Sequence, residues 1–346
     1  MLSRAVTAAL VTSLALAQSA QEPPPRPQAS QPQPPSIRVQ VNEVIVPVTV
    51  TDDRGRFVSN LDAADFRIQD EGRDQKIQFF SRDRSQPVVV GFLLDMSNAT
   101  RIHWKNFQDA AIEMALNMLP GDKKYSGYLI AYGNEAELLV NTTSDAEPIV
   151  EKMRKLKPGG GAALYDAIYK ACATRTLVKG EPYEPRRILI IVGDGHDTAS
   201  KKSLEEVLEI AQRNLVTIYA MSTIAYGFNS EGEANLTRLA EETGGRVEYP
   251  LNKLYKDVSG YLSTPSDEGN YAYKVGTGGY ASEVASGIFR AVATIAGDVT
   301  TQYIIRYIPD AGDKPSAKVF RNIKVSVPSL STVRVRTRKG YYPANP

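Results

Sequence analysis

The stretch Pro87-Val88-Val89-Val90-Gly91-Phe92-Leu93-Leu94-Asp95-Met96-Ser97 decides the fold. An uninterrupted apolar run, rich in valine and closed by a carboxylate, predicts a central strand covered on both faces. Such strands build doubly wound α/β sheets, whose ligands sit beyond the carboxyl ends of the strands. Asp95 and Ser97 then stand at that edge. A second run of the same kind, Ile188-Leu189-Ile190-Ile191-Val192-Gly193, delivers Asp194 to the same rim. The plainer reading makes Asp95 and Ser97 a turn and a helix cap. Two strand ends that each bring an Asp to one rim favour a site.

Working outward, apolar residues at helical spacing follow the first run: Phe107, Ala110, Ala111, Met114 and Met118, with Pro120-Gly121 as the stop. Tyr125 to Tyr132 reads as a strand, and the Gly133-Asn134 link predicts an antiparallel neighbour running through Val140. Residues 146–157 read as a helix, broken by Pro158-Gly159-Gly160-Gly161. Leu164, Ile168 and Cys172 share the face of the next helix, so the single Cys reads as a small core residue. After the second run, Ser203 and Glu206 form a capping box. Strands at Val216 to Met221 and Val247 to Tyr249 alternate with helices at Ala234 to Thr243 and around Val284 to Ile295. That alternation predicts a mostly parallel sheet flanked on both faces.

The two ends of the chain read differently. Val44, Val46, Val48 and Val50 alternate with Ile45, Pro47 and Thr49, which is strand periodicity, with Pro47 suggesting a sheet edge or bulge. Turns are expected at Asp53-Arg54-Gly55 and Asp70-Glu71-Gly72. The tail adds Tyr303 to Ile308, Ile323 to Val327, and Val333 to Tyr341, where Arg334, Arg336 and Arg338 alternate with Val333, Val335 and Thr337. Those arginines read as a charged solvent face protecting an edge strand, in preference to a surface for anionic polymers. Neither β segment has enough strands to stand alone. The expected fold is therefore a doubly wound, mostly parallel α/β sheet inserted in a small all-β sandwich-like module built from both chain ends.

Among 346 residues the formal net charge is +2, which argues for no acidic partner and no nucleic acid. Met1-Leu2-Ser3-Arg4, the apolar stretch from Ala5, and Ala15-Leu16-Ala17 match a secretory signal. That apolar stretch is too short to span a bilayer, and no other segment reaches the length required. Residues 18–36, almost all Gln, Pro, Ser and Glu, read as a disordered spacer. The expected organisation is a signal peptide over 1–17, the spacer over 18–36, half of the β module over 37–84, the α/β domain over 85–299 and the other half over 300–346.

The strand ending Asp95-x-Ser97, the Gly-rich loop running into Ala163-Leu164-Tyr165-Asp166-Ala167-Ile168, and the strand ending Asp194-Gly195-x-Asp197 resemble a von Willebrand factor A domain. Val48-Thr49-Val50-Thr51-Asp52 through Gly55, Leu61, Asp65-Phe66, Asp70-Glu71-Gly72 and Arg338-Lys339-Gly340-Tyr341-Tyr342 narrow the resemblance to exported von Willebrand factor A-related proteins abundant in acidobacteria. It implies a metal-ion-dependent adhesion site of the form Asp-x-Ser-x-Ser, with a Thr in the Gly-rich loop and an Asp after the fourth strand. Asp95, Ser97 and Asp194 fall on that pattern. Ala99 and Ala162 stand where hydroxyls belong, and Thr100 is one residue out of register. The implied site is a degenerate one for Mg²⁺ or another divalent cation, which prefer hard oxygen ligands.

Two further features bear on the rim. Residues 251–280 are rich in Tyr and Gly and leave the carboxyl end of a strand, so Tyr271 and Tyr273, with Tyr255, Tyr261 and Tyr280, read either as recognition residues or as a loose insertion. Ser97, His196 and Asp95 or Asp197 contain the residue types of a hydrolase triad, but no Gly-x-Ser-x-Gly elbow surrounds Ser97. The expected function is an exported, non-enzymatic module, periplasmic or extracellular. It binds a protein or other extracytoplasmic macromolecule through Asp95, Ser97, Asp194, Tyr271 and Tyr273. The rival reading is a scaffolding domain with a vestigial metal site. N-terminal sequencing of protein from the extracytoplasmic fraction should find a mature chain beginning near Gln18. A cytoplasmic protein that keeps Met1 would contradict the signal.

Overall fold

The computed structural model describes residues 43–82, 86–173, 185–224, 231–251, 278–309 and 316–343. The expected signal and spacer, and Tyr255, Tyr261, Tyr271 and Tyr273, lie outside the described residues.

Strand β1 (Val44–Thr51) buries Val44, Val46, Val48 and Val50, as their alternation predicts. Three short strands follow, β2 (Arg67–Asp70), β3 (Arg73–Gln75) and β4 (Phe79–Ser81). The decisive stretch becomes β5 (Val88–Asp95), buried along its whole length. After it come α1 (Trp104–Met118), β6 (Tyr125–Tyr132), β7 (Ala136–Thr143), α2 (Glu147–Lys155) and α3 (Leu164–Ala173). Then follow β8 (Arg186–Gly193), α4 (Leu204–Arg213), β9 (Val216–Ser222), α5 (Glu231–Thr243), β10 (Val247–Glu248) and the long α6 (Gly278–Thr301). The tail contains β11 (Tyr303–Tyr307), β12 (Arg321–Ser326), β13 (Arg334–Thr337) and β14 (Gly340–Tyr341).

Among the described residues the central sheet has six strands in the order β10-β9-β8-β5-β6-β7, parallel except for β7. The fold is doubly wound. Val88, Val90, Phe92 and Leu94 of β5 pack with α1, α2 and α6, while Val89 and Leu93 pack with α3, α4 and α5. Each side chain fully buried in this way contributes roughly 1.5–3 kcal/mol. Cys172 sits in the second of these cores. Ser203 and Glu206 cap α4 reciprocally, as their spacing predicts. Among the described residues no helix is long and apolar enough to cross a membrane.

The chain ends supply two further antiparallel sheets, β13-β1-β11-β4 and β14-β12-β2-β3, which share one apolar core. Three local expectations change here. The link between β6 and β7 has three residues, because Tyr132 pairs with Ala136. β1 is an interior strand, and it tolerates Pro47 because β13 pairs only with Val48 to Thr51. The expected last strand, Val333 to Tyr341, is divided between the two sheets as β13 and β14. This division turns the arginine row inward past Arg334. Arg336 pairs with the fully buried Asp298 of α6, and Arg338 is itself buried. Only Arg334 remains on a solvent face.

Asp70 also departs from its expected place in an exposed turn. Glu71 and Gly72, both with positive φ, make the turn, and Asp70 points into the sandwich with no exposed surface. It accepts hydrogen bonds from Arg321 Nε at 2.8 Å and from the Tyr307 and Tyr341 hydroxyls, each at 2.9 Å. One carboxylate thus joins strands of both sheets. Asp70→Ala removes the buried carboxylate shared by Arg321, Tyr307 and Tyr341 and should cost about 3–5 kcal/mol. Asp74→Ala, which removes an exposed pair with Arg67 on the adjoining hairpin, should change stability little. Urea unfolding of both variants checks the contrast.

Candidate functional site

The strand order changes direction at β5 and β8, and their carboxyl ends lie side by side. This is the crevice where open α/β sheets bind ligands. Asp95 closes β5 and lies opposite Tyr132, the last residue of β6. Asp194 follows Gly193 at the end of β8. The close approach depends on that glycine, since a Cβ there would lie 2.3 Å from the Tyr132 hydroxyl and 2.8 Å from Asp95 Cβ.

Loops seal the rim. Gly159 and Asn98 form backbone hydrogen bonds to Met96 and Gly160, at 2.6 and 3.1 Å. Asn134 Oδ1 accepts the Gly161 N–H at 2.7 Å, and Thr198 Oγ1 accepts the Ala162 N–H at 2.9 Å. The Gly-rich loop is therefore held by both neighbouring loops. Asn134, Thr198 and Tyr132 were not anticipated from the sequence. Tyr132 carried a signal, its place at a strand end beside β5, but Asn134 and Thr198 act through contacts that no local pattern encodes.

Asp95 is buried. Its Oδ1 accepts the Ser97 N–H at 2.7 Å, and its Oδ2 has no partner. Ser97 Oγ and Tyr132 Oη are likewise buried without a hydrogen-bond partner. Desolvation pushes the Asp95 carboxyl up to about 6; the Ser97 N–H opposes this and the charge of Asp194 adds to it. Burial also raises Tyr132, with the charges of Asp95 and Asp194 acting in the same direction.

The remaining candidates are engaged elsewhere. Asp194 Oδ1 accepts the His196 N–H at 3.0 Å, and its Oδ2 lies 3.1 Å from His196 Nδ1. Asp197 holds Tyr165 N and Ser200 at the start of α3, at 2.9 Å and 2.6–3.0 Å. Ser97 has no hydrogen bond to His196, so no nucleophile–base pair forms. Thr100 donates back to the Ser97 carbonyl at 3.0 Å and faces its own turn.

These residues make a poor fit for a divalent cation. Ser97 Oγ and Asp95 Oδ2 are open, but Asp194 is held by His196, Ala99 is exposed, and the buried Ala162 supplies no side-chain oxygen. Among the described residues no group of three or more His, Cys, Asp or Glu is placed to hold a metal.

The folded value for Asp95 lies above the ordinary 3.8, so the native state binds the extra proton between these values. Stability therefore falls as pH rises through that window. Asp95→Asn keeps the acceptor for Ser97 N–H and removes the charge. In EDTA the variant should be the more stable protein above about pH 6, by up to about 3 kcal/mol, with the advantage gone below about pH 4. Thermal melts of both proteins across that range test the sign.

The model of the von Willebrand factor type A domain family matches residues 90–254. None of the curated proteins matches the chain. Among solved structures, the chain is similar to an aerotolerance-related membrane protein from Bacteroides fragilis NCTC 9343, with 16% identity and a TM-score of 0.38, covering 51% of this chain and 98% of that one. It is also similar to BatB from Bacteroides thetaiotaomicron, at 16% identity and a TM-score of 0.38, covering 51% and 97%. A third, proximal thread matrix protein 1 from the mussel byssus, has a zinc-occupied MIDAS motif; the identity is 16%, the TM-score 0.39 and the coverage 49% and 43%. The six-stranded layer of this chain, through the segment 90–254, has a von Willebrand factor A-like fold.

Proposed function

We propose that the protein is an exported, non-enzymatic binding module that holds a protein or other extracytoplasmic macromolecule at the carboxyl-end rim of its α/β sheet. One observation carries this reading: Asp95 Oδ2, Ser97 Oγ and Tyr132 Oη are buried together without partners. Buried polar groups are nearly always satisfied, so water or a group from outside completes the set. With Asp194 beside them, the rim suits a cationic or hydrogen-bond-donating group on the partner. Tyr271 and Tyr273 join the contact surface through their place after β10. The adhesion-like site is degenerate in this reading, and any Mg²⁺ or similar cation is a weak aid.

The same proposal takes residues 1–17 as a signal peptide of an acidobacterial-type exported protein, periplasmic or secreted, and 18–36 as a spacer. Residues 37–84 and 300–346 act as one β module around the domain over 85–299. The pairing of β1 and β4 with β11, and of β2 with β12, supports that division. A scaffolding role with a vestigial site is the second reading, favoured by the hold of His196 on Asp194.

Crosslinking in the native host, followed by mass spectrometry, separates the two. Partner peptides should be joined to the loops carrying Asp95 and Asp194, should survive EDTA, and should vanish in Asp95→Asn with Ser97→Ala. Crosslinks unchanged in that variant support scaffolding. Loss in EDTA alone means that a metal completes the rim.

A further inference from the structure

A cavity of about 230 Å³ lies at the opposite end of the sheet, between the amino ends of β8 and β9 and the first half of β1. Ile45 and Pro47 form part of an apolar wall, and Arg186, Arg187, Arg338 and Gln302 supply the donors. Arg338 is only 4% exposed. Its Nη2 reaches the Leu215 carbonyl at 3.3 Å, and its Nε is buried with no partner. β13, which ends just before it, is held in place by Thr337 Oγ1, which donates to the Pro47 carbonyl at 2.8 Å. Arg186 donates from Nη2 to the Val299 carbonyl at 2.8 Å and to Gln302 Oε1 at 2.7 Å.

The other guanidiniums drawn into the fold have carboxylates: Arg321 has Asp70, Arg336 has Asp298 and Arg246 has Glu248. Among the described residues, Arg338 and Arg186 have none. Burial lowers the Arg338 guanidinium to about 10, which still leaves it charged at neutral pH. A buried charge without a counter-charge costs several kcal/mol, and the two unpaired guanidiniums of Arg338 and Arg186 around one cavity also repel each other. A bound anion relieves both. Guanidinium forks match oxyanions through paired N–H donors, and the cavity is smaller than those that take drug-sized ligands.

We propose that this cavity is an anion site that holds a small tetrahedral oxyanion, free phosphate or sulfate, between Arg338, Arg186 and Arg187. The anion joins the β sandwich, through Arg338, to the base of the α/β sheet, through Arg186 and Arg187. The site is independent of the rim, which lies at the other end of β8.

The test uses the full chain in chloride buffer, titrated separately with inorganic phosphate and with sulfate at constant ionic strength. Either anion should raise the melting temperature with the logarithm of its concentration above Kd, by roughly 4–8 °C at a hundredfold excess. The rise should be lost in Arg338→Met and kept in Arg334→Met, which alters the exposed arginine at the start of β13. Ile45→Trp, which fills the cavity and leaves every arginine in place, should also abolish it, so the test stands if Arg338→Met does not fold. Phosphorus NMR of phosphate with the unmodified protein should show line broadening that sulfate reverses. No rise with either anion, a rise linear in anion concentration, an equal rise in the Arg338 or Ile45 variant, or no broadening where phosphate does raise the melting temperature would overturn the site. A response to only one of the two anions identifies the ligand.

Discussion

Strand β5 carries six buried apolar side chains and has no exposed face, and the remaining architecture satisfies that constraint. Both edges of the strand need hydrogen-bonded neighbours, which β8 and β6 provide. Both faces need covers, which the two layers of helices provide. The strand can therefore turn polar only at its end, at Asp95. Burial of that carboxylate, net of the Ser97 N–H that opposes it and the Asp194 charge that adds to it, costs about 3 kcal/mol at neutral pH, which two of the buried side chains offset. A rigid, fully buried strand can thus present a strained polar group at its tip without loss of the fold.

The opposite end of the sheet meets the β sandwich, and that junction is polar as well as apolar. Gln302, just after α6, links Tyr219 of β9, Arg186 of β8 and Thr49 of β1 at 3.0, 2.7 and 3.4 Å. Arg336 of β13 meets Asp298 of α6. Such contacts are directional, so they fix the angle at which the sandwich joins the sheet. Within the sandwich Asp70 serves the same purpose by tying strands of both sheets to one carboxylate.

At the rim, the residues that could be found in the sequence were those that end long apolar runs, because a carboxylate after a buried strand has one place to go. Asp95 and Asp194 are such residues, and Ser97 follows from its offset. The roles of their neighbours were hidden. His196 engages both oxygens of Asp194, Asp197 holds the start of α3, and Thr100 turns back on its own carbonyls. All three carry side chains that suit a site, and each is committed to backbone or to a neighbour by loop conformation.

Apolar spacing determined the alternation of buried strands and amphipathic helices and the mostly parallel sheet, because burial reads that spacing one element at a time. The Gly133-Asn134 link pointed to the antiparallel β7, and the small number of strands at each chain end pointed to their pairing. Tertiary structure alone decided the direction of polar side chains whose partners lie far along the chain. Asp70 meets Arg321, Asp298 meets Arg336, and Arg338 lies beneath β9 instead of in solvent. A charged residue in an alternating strand reads as a surface residue until a second layer covers it. Whether that layer brings a counter-charge, as at Asp70, or none, as at Arg338, depends on packing between segments more than a hundred residues apart.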